Sequence, residues 1–126
     1  MSMRTPLAKV RGLGSAKSGT EHFWMQRLTA IANLPLIVFF VWFIVAHLGT
    51  SRAALVASLR NPAIAILLTL TFLSILWHMR LGMQTIIEDY VQSRAARLAC
   101  LILNSFFTAA LGVAALHAIL KMSLAI

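Results

Sequence analysis

Three long apolar runs divide the chain: Leu28 to Leu48, Pro62 to Ile87 and Leu98 to Leu120. Each exceeds the roughly 20 residues that cross a hydrocarbon core of about 30 Å. No period-2 alternation competes with them and no internal repeat is evident, so the pattern predicts an all-α integral membrane protein with three transmembrane helices. Its organisation reads as a basic N-terminal arm over residues 1–27 and a transmembrane anchor over residues 28–126. The second run carries a polar stripe, Thr71, Ser74, His78, Gly82, Thr85 and Asp89, spaced by three, four, four, three and four. On a helix of about 3.6 residues per turn such spacings hold one azimuth, so one face is expected to bear a lone imidazole, a glycine gap and a terminal carboxylate. Ionisable groups inside a bilayer are expensive and point by default to a cofactor, ion or substrate pathway.

Composition fixes the class. Of 126 residues 60% are hydrophobic and 11% charged, against roughly 25% charged in soluble domains. The first run follows 27 mostly polar residues and is too long and too late for a secretory h-region, so it is expected to stay in the mature chain. The leader from Met1 to Thr20, with Arg4, Lys9, Arg11 and Lys17 and no acid, has the composition of a mitochondrial presequence. A basic arm on the membrane surface is the plainer expectation. An odd number of spans groups leader with second loop: Arg4, Lys9, Arg11, Lys17, Arg27, Arg94 and Arg97 against Arg52, Arg60 and Lys121, seven against three. The positive-inside rule then puts the N terminus in the cytoplasm and the C terminus in the periplasm. Anionic lipid or the acidic face of a soluble partner accounts for the net charge of +8 without nucleic acid. Cys100 has neither a disulfide partner nor metal-ligand spacing and reads as packing.

Depth gives His78 its interest. Asp89 lies eleven residues further on, about 16 Å along the axis at 1.5 Å per residue, so His78 is expected near mid-bilayer if Asp89 marks the interface. An imidazole there is either a hydrogen-bonded packing residue or a ligand to haem iron. Gly82, one turn away, favours the haem, because a missing side chain lets a flat macrocycle approach the backbone. His22, His47 and His117 lie at the ends of runs, so a second axial ligand is expected from another chain, and His47 and His117 read as interfacial anchors. Arg80, about 200° around the helix from His78, can snorkel to headgroups or to a haem propionate. Arg27 precedes the first run and is expected at the membrane level of Asp89 and Tyr90. A cation, a carboxylate and a phenol at one interface suit the carbonyl oxygens of a lipid-soluble quinone, and each suits ordinary interfacial anchoring as well.

These residues resemble a family. The stretch His78-Met-Arg-Leu-Gly-Met-Gln-Thr-Ile-Ile-Glu-Asp-Tyr90 is similar to the His, Gly-Met, Asp-Tyr signature of the D-type hydrophobic membrane anchor of succinate dehydrogenase, with its spacing of twelve from His to Tyr. Arg27-Leu-Thr-Ala-Ile31 is similar to the Arg-x-Thr/Ser-Ala motif that opens the family's first helix. The order Glu21-His22 departs from the His-Asp of some members, so neither residue is assigned to the site. The resemblance implies a helical bundle shared with a C-type cytochrome b anchor subunit, docked to an iron–sulfur subunit and a flavoprotein subunit. It implies a haem b shared between the two anchors with His78 as one axial ligand, and ubiquinone as the electron acceptor. Tyr90 would donate a hydrogen bond to a quinone carbonyl, Asp89 would support that site, and Arg27 would line the quinone and haem-propionate region.

The physical chemistry agrees with those roles. Quinone reduction takes up two protons, so its site belongs at the wet edge of the membrane, where a phenol and a carboxylate can be resupplied. The haem belongs in the dry interior, tuned by its ligands and surroundings. Neither a flavin fingerprint nor cluster cysteines occur, so the chain reads as a non-flavin membrane subunit of a succinate:quinone oxidoreductase in the bacterial cytoplasmic membrane rather than as a complete enzyme. Two alternatives stand beside it: a cytochrome b-type anchor of a fumarate reductase or another quinone-linked dehydrogenase, and a small transporter or structural membrane protein. A transporter would want a carboxylate or broken helices at mid-depth, whereas Glu88 and Asp89 end a run.

Overall fold

The computed structural model describes residues 5–12 and 19–124. Five helices follow in order, α1 (Pro6–Val10), α2 (Gly19–Ala46), α3 (Arg52–Leu59), α4 (Pro62–Tyr90) and α5 (Arg94–Leu124), with no strand among the described residues. Three of them, α2, α4 and α5, are long and apolar enough to cross a membrane, at 28, 29 and 31 residues. Each outruns the apolar run that announces it. Hydropathy marks the lipid slab, whereas a helix continues into the headgroups for as long as its backbone bonds and caps hold.

Local chemistry sets the starts. Asn61 caps α4 by accepting a hydrogen bond from the Ala63 amide at 3.0 Å, with Pro62 in the first turn, where its missing N–H costs nothing. Ser51 caps α3 through the Ala54 amide at 3.3 Å. Between α2 and α3 the chain reverses at Gly49, whose φ of 76° is the left-handed conformation glycine adopts without a Cβ penalty. The basic arm carries the short helix α1 with Lys9 in its last turn, while Arg4 and Lys17 lie outside the described residues.

The long helices form a row. Central α4 packs against both α2 and α5, which do not pack against each other, and the short α3 lies across α4 and α5 at one end. Phe43, Leu59, Leu68 and Ile119 form the buried core there, with Phe39, Phe40, Leu55 and Phe72 packed on it. An open row of three apolar helices leaves two broad apolar faces. Leu34, Val38, Val45, Leu103, Phe106 and Val113 on these helices are all at least 60% exposed, as expected of surfaces that meet lipid or a further helical subunit.

Candidate functional site

Polar groups hold α2 to α4. Ser74 Oγ donates to Asn33 Oδ1 at 2.6 Å, and one turn along Thr29 Oγ1 lies 2.9 Å from His78 Nδ1. One turn further, a Cβ on Gly82 would meet Gln26 Nε2 at 3.4 Å. Thr71 is fully buried and bonds back to the Leu67 carbonyl at 2.7 Å. The stripe is therefore buried or half-buried from Thr71 to Gly82, while Thr85 and Asp89 are exposed. Each contact across the helix pair offers a side-chain polar group a partner in a region without water, a gain of about 0.6 kcal/mol on average in membrane proteins.

The ring of His78 is oriented by Thr29. The Thr29 hydroxyl has one proton and faces two backbone carbonyls, Met25 O at 2.8 Å and Gln26 O at 3.1 Å. With that proton donated to the backbone, its oxygen accepts from His78 Nδ1–H. The lone pair then belongs to Nε2. No described residue hydrogen-bonds Nε2, and it is not among the enclosed polar atoms. An imidazole oriented through one nitrogen with the other bare is the arrangement of a metal-ligating histidine.

Gly82 has a different neighbour from the one its spacing suggests. Gln26 of α2 fills the space over it, so on this side the glycine admits a helix rather than a macrocycle. Beside it, Gln26 Oε1 and His22 Nε2 are buried without hydrogen-bond partners, and His22 lines a small cavity of about 200 Å³ with Met25, Trp77 and Leu81. Two orphaned polar atoms, about one and two turns from His78 along the helix pair, are groups that a haem edge, a water or a partner subunit would satisfy.

Arg27 is not level with Asp89 and Tyr90. The pairs Thr29–His78 and Asn33–Ser74 fix an antiparallel register that sets Arg27 beside Arg80 and Leu81, about 13 Å from Asp89 along the axis at 1.5 Å per residue. The physical reason is the early start of α2: its polar turns from Gly19 cover the last turns of α4, so the beginning of the apolar run does not mark the interface. Arg27 is exposed with its guanidinium over the Phe23 ring at 4.4 Å. Arg80 stacks on Trp77 at 5.4 Å, and its carbonyl accepts from Asn104 Nδ2 of α5 at 3.0 Å.

At the end of α4, Asp89 and Tyr90 are exposed, Tyr90 81% so. Glu88 accepts from Gln84 Nε2 at 2.8 Å, and Arg97 Nε donates to the Val91 carbonyl at 2.9 Å, tying the short α4–α5 turn. Among the described residues Asp89 and Tyr90 form an open rim that no wall encloses. The other histidines fall elsewhere: His117 is exposed on α5, and His47 ties α2 to α3, its Nδ1 2.8 Å from the Phe43 carbonyl and its Nε2 2.8 Å from Ser58 Oγ. That bridge was not legible as more than an anchor, because α3 leaves no long hydrophobic signal. No group of three or more His, Cys, Asp or Glu able to hold a metal occurs among the described residues.

A family model described as "Succinate dehydrogenase/Fumarate reductase transmembrane subunit" matches residues 1–113. The chain is 32% identical over 120 residues to the succinate dehydrogenase hydrophobic membrane anchor subunit of Paracoccus denitrificans, covering 95% of this chain and 92% of that protein. It is 31% identical over 105 residues to the corresponding subunit of Rickettsia bellii, covering 83% and 84%. To the succinate dehydrogenase membrane anchor subunit of Reclinomonas americana it is 32% identical over 90 residues, 69% of this chain and 75% of that one. No solved structure matches.

Proposed function

The chain belongs to the succinate dehydrogenase/fumarate reductase transmembrane subunit family, among its hydrophobic membrane anchors, and from that premise we propose that it carries half of a haem b site at His78 and part of a quinone-reduction site at the Asp89–Tyr90 rim. One observation carries the reading. His78 is held through Nδ1 by Thr29 with Nε2 bare, which is what a single axial imidazole requires. When bound, the haem supplies a one-electron relay in a low-dielectric setting.

This chain's residues hold and position. Thr29 orients the ring of His78 through Nδ1 and leaves its Nε2 edge free. Arg27 and Arg80 lie at nearly the level of His78 and are the cations available to carboxylates on the edge of a macrocycle. Tyr90 and Asp89 sit at the exposed end of α4, where a phenol can donate to a quinone oxygen and a carboxylate can pass protons in from water. Separation along α4 keeps the proton-taking step at the edge and the electron relay inside.

The open row of α2, α4 and α5 supports a bundle shared with a second anchor subunit, which would supply the other ligand to the haem iron and enclose the quinone. Iron–sulfur and flavoprotein subunits then dock beside the Asp89 end, with the N terminus on the cytoplasmic face of a bacterial inner membrane. The test is a mild-detergent purification of the complex from wild type and His78→Ala cells. The wild type brings down a flavoprotein and an iron–sulfur protein with a low-spin haem b spectrum, and His78→Ala brings down the proteins with that spectrum lost or weakened. An unchanged bis-imidazole spectrum in the assembled variant removes His78 as the ligand.

A further inference from the structure

His22 is a titratable group that neither the haem site nor the quinone rim uses. Its ring lines the small cavity of about 200 Å³ with Glu21, Met25, Trp77 and Leu81, while its Nε2 is enclosed without a hydrogen-bond partner among the described residues, as is Gln26 Oε1 one turn along α2. One edge of the imidazole therefore meets the cavity and the other meets the interior of the α2–α4 pair. The register set by Thr29–His78 and Asn33–Ser74 puts His22 beside Thr85, about 6 Å from the level of Asp89 at 1.5 Å per residue. Glu21, exposed in the first turn of α2, gives the cavity a carboxylate that water can reach.

At about 100° per residue, Trp77 and Leu81 fall on one side of His78 on α4 and Tyr90 falls on the other, so the cavity lies on the side of the helix pair away from Tyr90. His22 and Gln26 stand between the two sides, where Gln26 covers Gly82. Enclosed polar atoms require partners. A haem carboxylate fits poorly beside Glu21, because like charges repel. Water meets both atoms, and the cavity has room for several at about 30 Å³ each. We propose that Glu21, His22 and Gln26 form a proton entry for quinone reduction, with water on either side of the His22 ring. The entry rests on the quinone reading of the rim. A second anchor subunit that encloses the rim cuts Asp89 off from water on that side, and the cavity on the other side of α4 restores its supply. Reduction of a quinone by two electrons takes up two protons. Each passes from water by way of Glu21 to the cavity-side nitrogen of His22, and the ring releases its other proton from Nε2 to water held by Gln26. From there it reaches Asp89 and the quinone oxygen, and a turn of the ring restores the first tautomer.

The experiment uses the whole complex, purified in mild detergent. His22→Gln keeps a hydrogen-bonding side chain but cannot pass a proton through a ring. Its quinone-reductase turnover should fall by about 100-fold, the low end of what a positioned proton-transfer group supplies, with a larger solvent deuterium isotope effect. In His22→Ala, added imidazole should restore part of the rate. Assembly, haem b spectrum and succinate oxidation by a soluble artificial acceptor should match wild type. Glu21→Gln, at an exposed position, should also raise the isotope effect, and it decides the matter if the His22 variants assemble poorly. Wild-type turnover and isotope effect in His22→Gln and Glu21→Gln overturn the relay. So does loss of haem b in His22→Gln with quinone kinetics intact, which makes a haem edge the partner of the ring, or a partner subunit's side chain found seated in the cavity. Failure of the quinone reading is told apart by Asp89→Asn and Tyr90→Phe, which then keep wild-type quinone kinetics; if these two slow while His22→Gln and Glu21→Gln do not, the relay alone fails.

Discussion

Thr29 Oγ1 and His78 Nδ1 lie 2.9 Å apart across 49 residues of sequence, and this contact sets the register of α2 against α4 and orients the His78 imidazole through one ring nitrogen. It joins two motifs that are distant in sequence, the Arg-Leu-Thr-Ala stretch at Arg27 and the stretch that starts at His78. Thr29→Val keeps the β-branch and removes the hydroxyl. In the assembled complex it should shift the haem b midpoint potential and weaken haem retention by about 10- to 100-fold, the usual cost of removing a partner that orients a metal ligand. Thr29→Ser, which restores the hydroxyl, should recover most of it. Identical spectra and potentials in wild type and Thr29→Val would show that the hydroxyl is only interhelical glue.

Gly82 offers a separate test of what fills the gap. Its added Cβ meets only the end of the flexible Gln26 side chain, at 3.4 Å. Gly82→Ala should therefore assemble normally, with α4 gaining up to about 1 kcal/mol of helix propensity, whereas Gly82→Leu should push α2 away and lower the thermal stability of the complex. If Gly82→Ala instead assembles fully but loses haem, the macrocycle, and not α2, occupies the glycine.

Arg27 lies nearer the level of His78 than that of Tyr90. Standing beside Arg80 and about 13 Å from Asp89, it should act on the haem edge. In Arg27→Ala complexes the haem b potential should fall, since a cation near the iron favours the reduced form, with a smaller effect in Arg27→Lys. A change confined to the apparent KM for quinone, with the potential unmoved, would return Arg27 to the quinone rim.

The residues that could be read in the sequence are those whose signal is periodic. Runs of apolar residues announced α2, α4 and α5, and the three-and-four spacing of Ser74, His78 and Gly82 announced one face of α4. Its partner was also legible in principle. Asn33 and Thr29 are four apart, as are Ser74 and His78, and two polar ladders of equal pitch on neighbouring spans are what an antiparallel hydrogen-bonded pair requires. The level of Arg27 was not legible, because it depends on where α2 begins, and the polar turns from Gly19 carry no hydrophobic pattern. Nor does periodicity show α3: at eight residues it is shorter than the window in which an amphipathic period stands out.

Tyr90 separates a quinone contact from interfacial anchoring. It is 81% exposed at the last residue of α4, which suits an aromatic-belt residue of an isolated chain and equally a side chain that a second subunit and a quinone cover. Tyr90→Phe keeps the ring and deletes the hydroxyl. If the hydroxyl donates to a quinone carbonyl, its loss should cost about 1 to 3 kcal/mol, roughly 5- to 150-fold in quinone-reductase efficiency. Assembly, haem b spectrum and succinate oxidation by a soluble artificial acceptor should all be preserved, because the phenol lies outside the electron path to that acceptor and far along α4 from His78. A belt residue would show almost no change, since the ring and its interfacial packing remain. Equal quinone-reductase kinetics in wild type and Tyr90→Phe would exclude the hydroxyl as a needed contact and leave Asp89, its exposed neighbour, as this chain's remaining candidate at the rim.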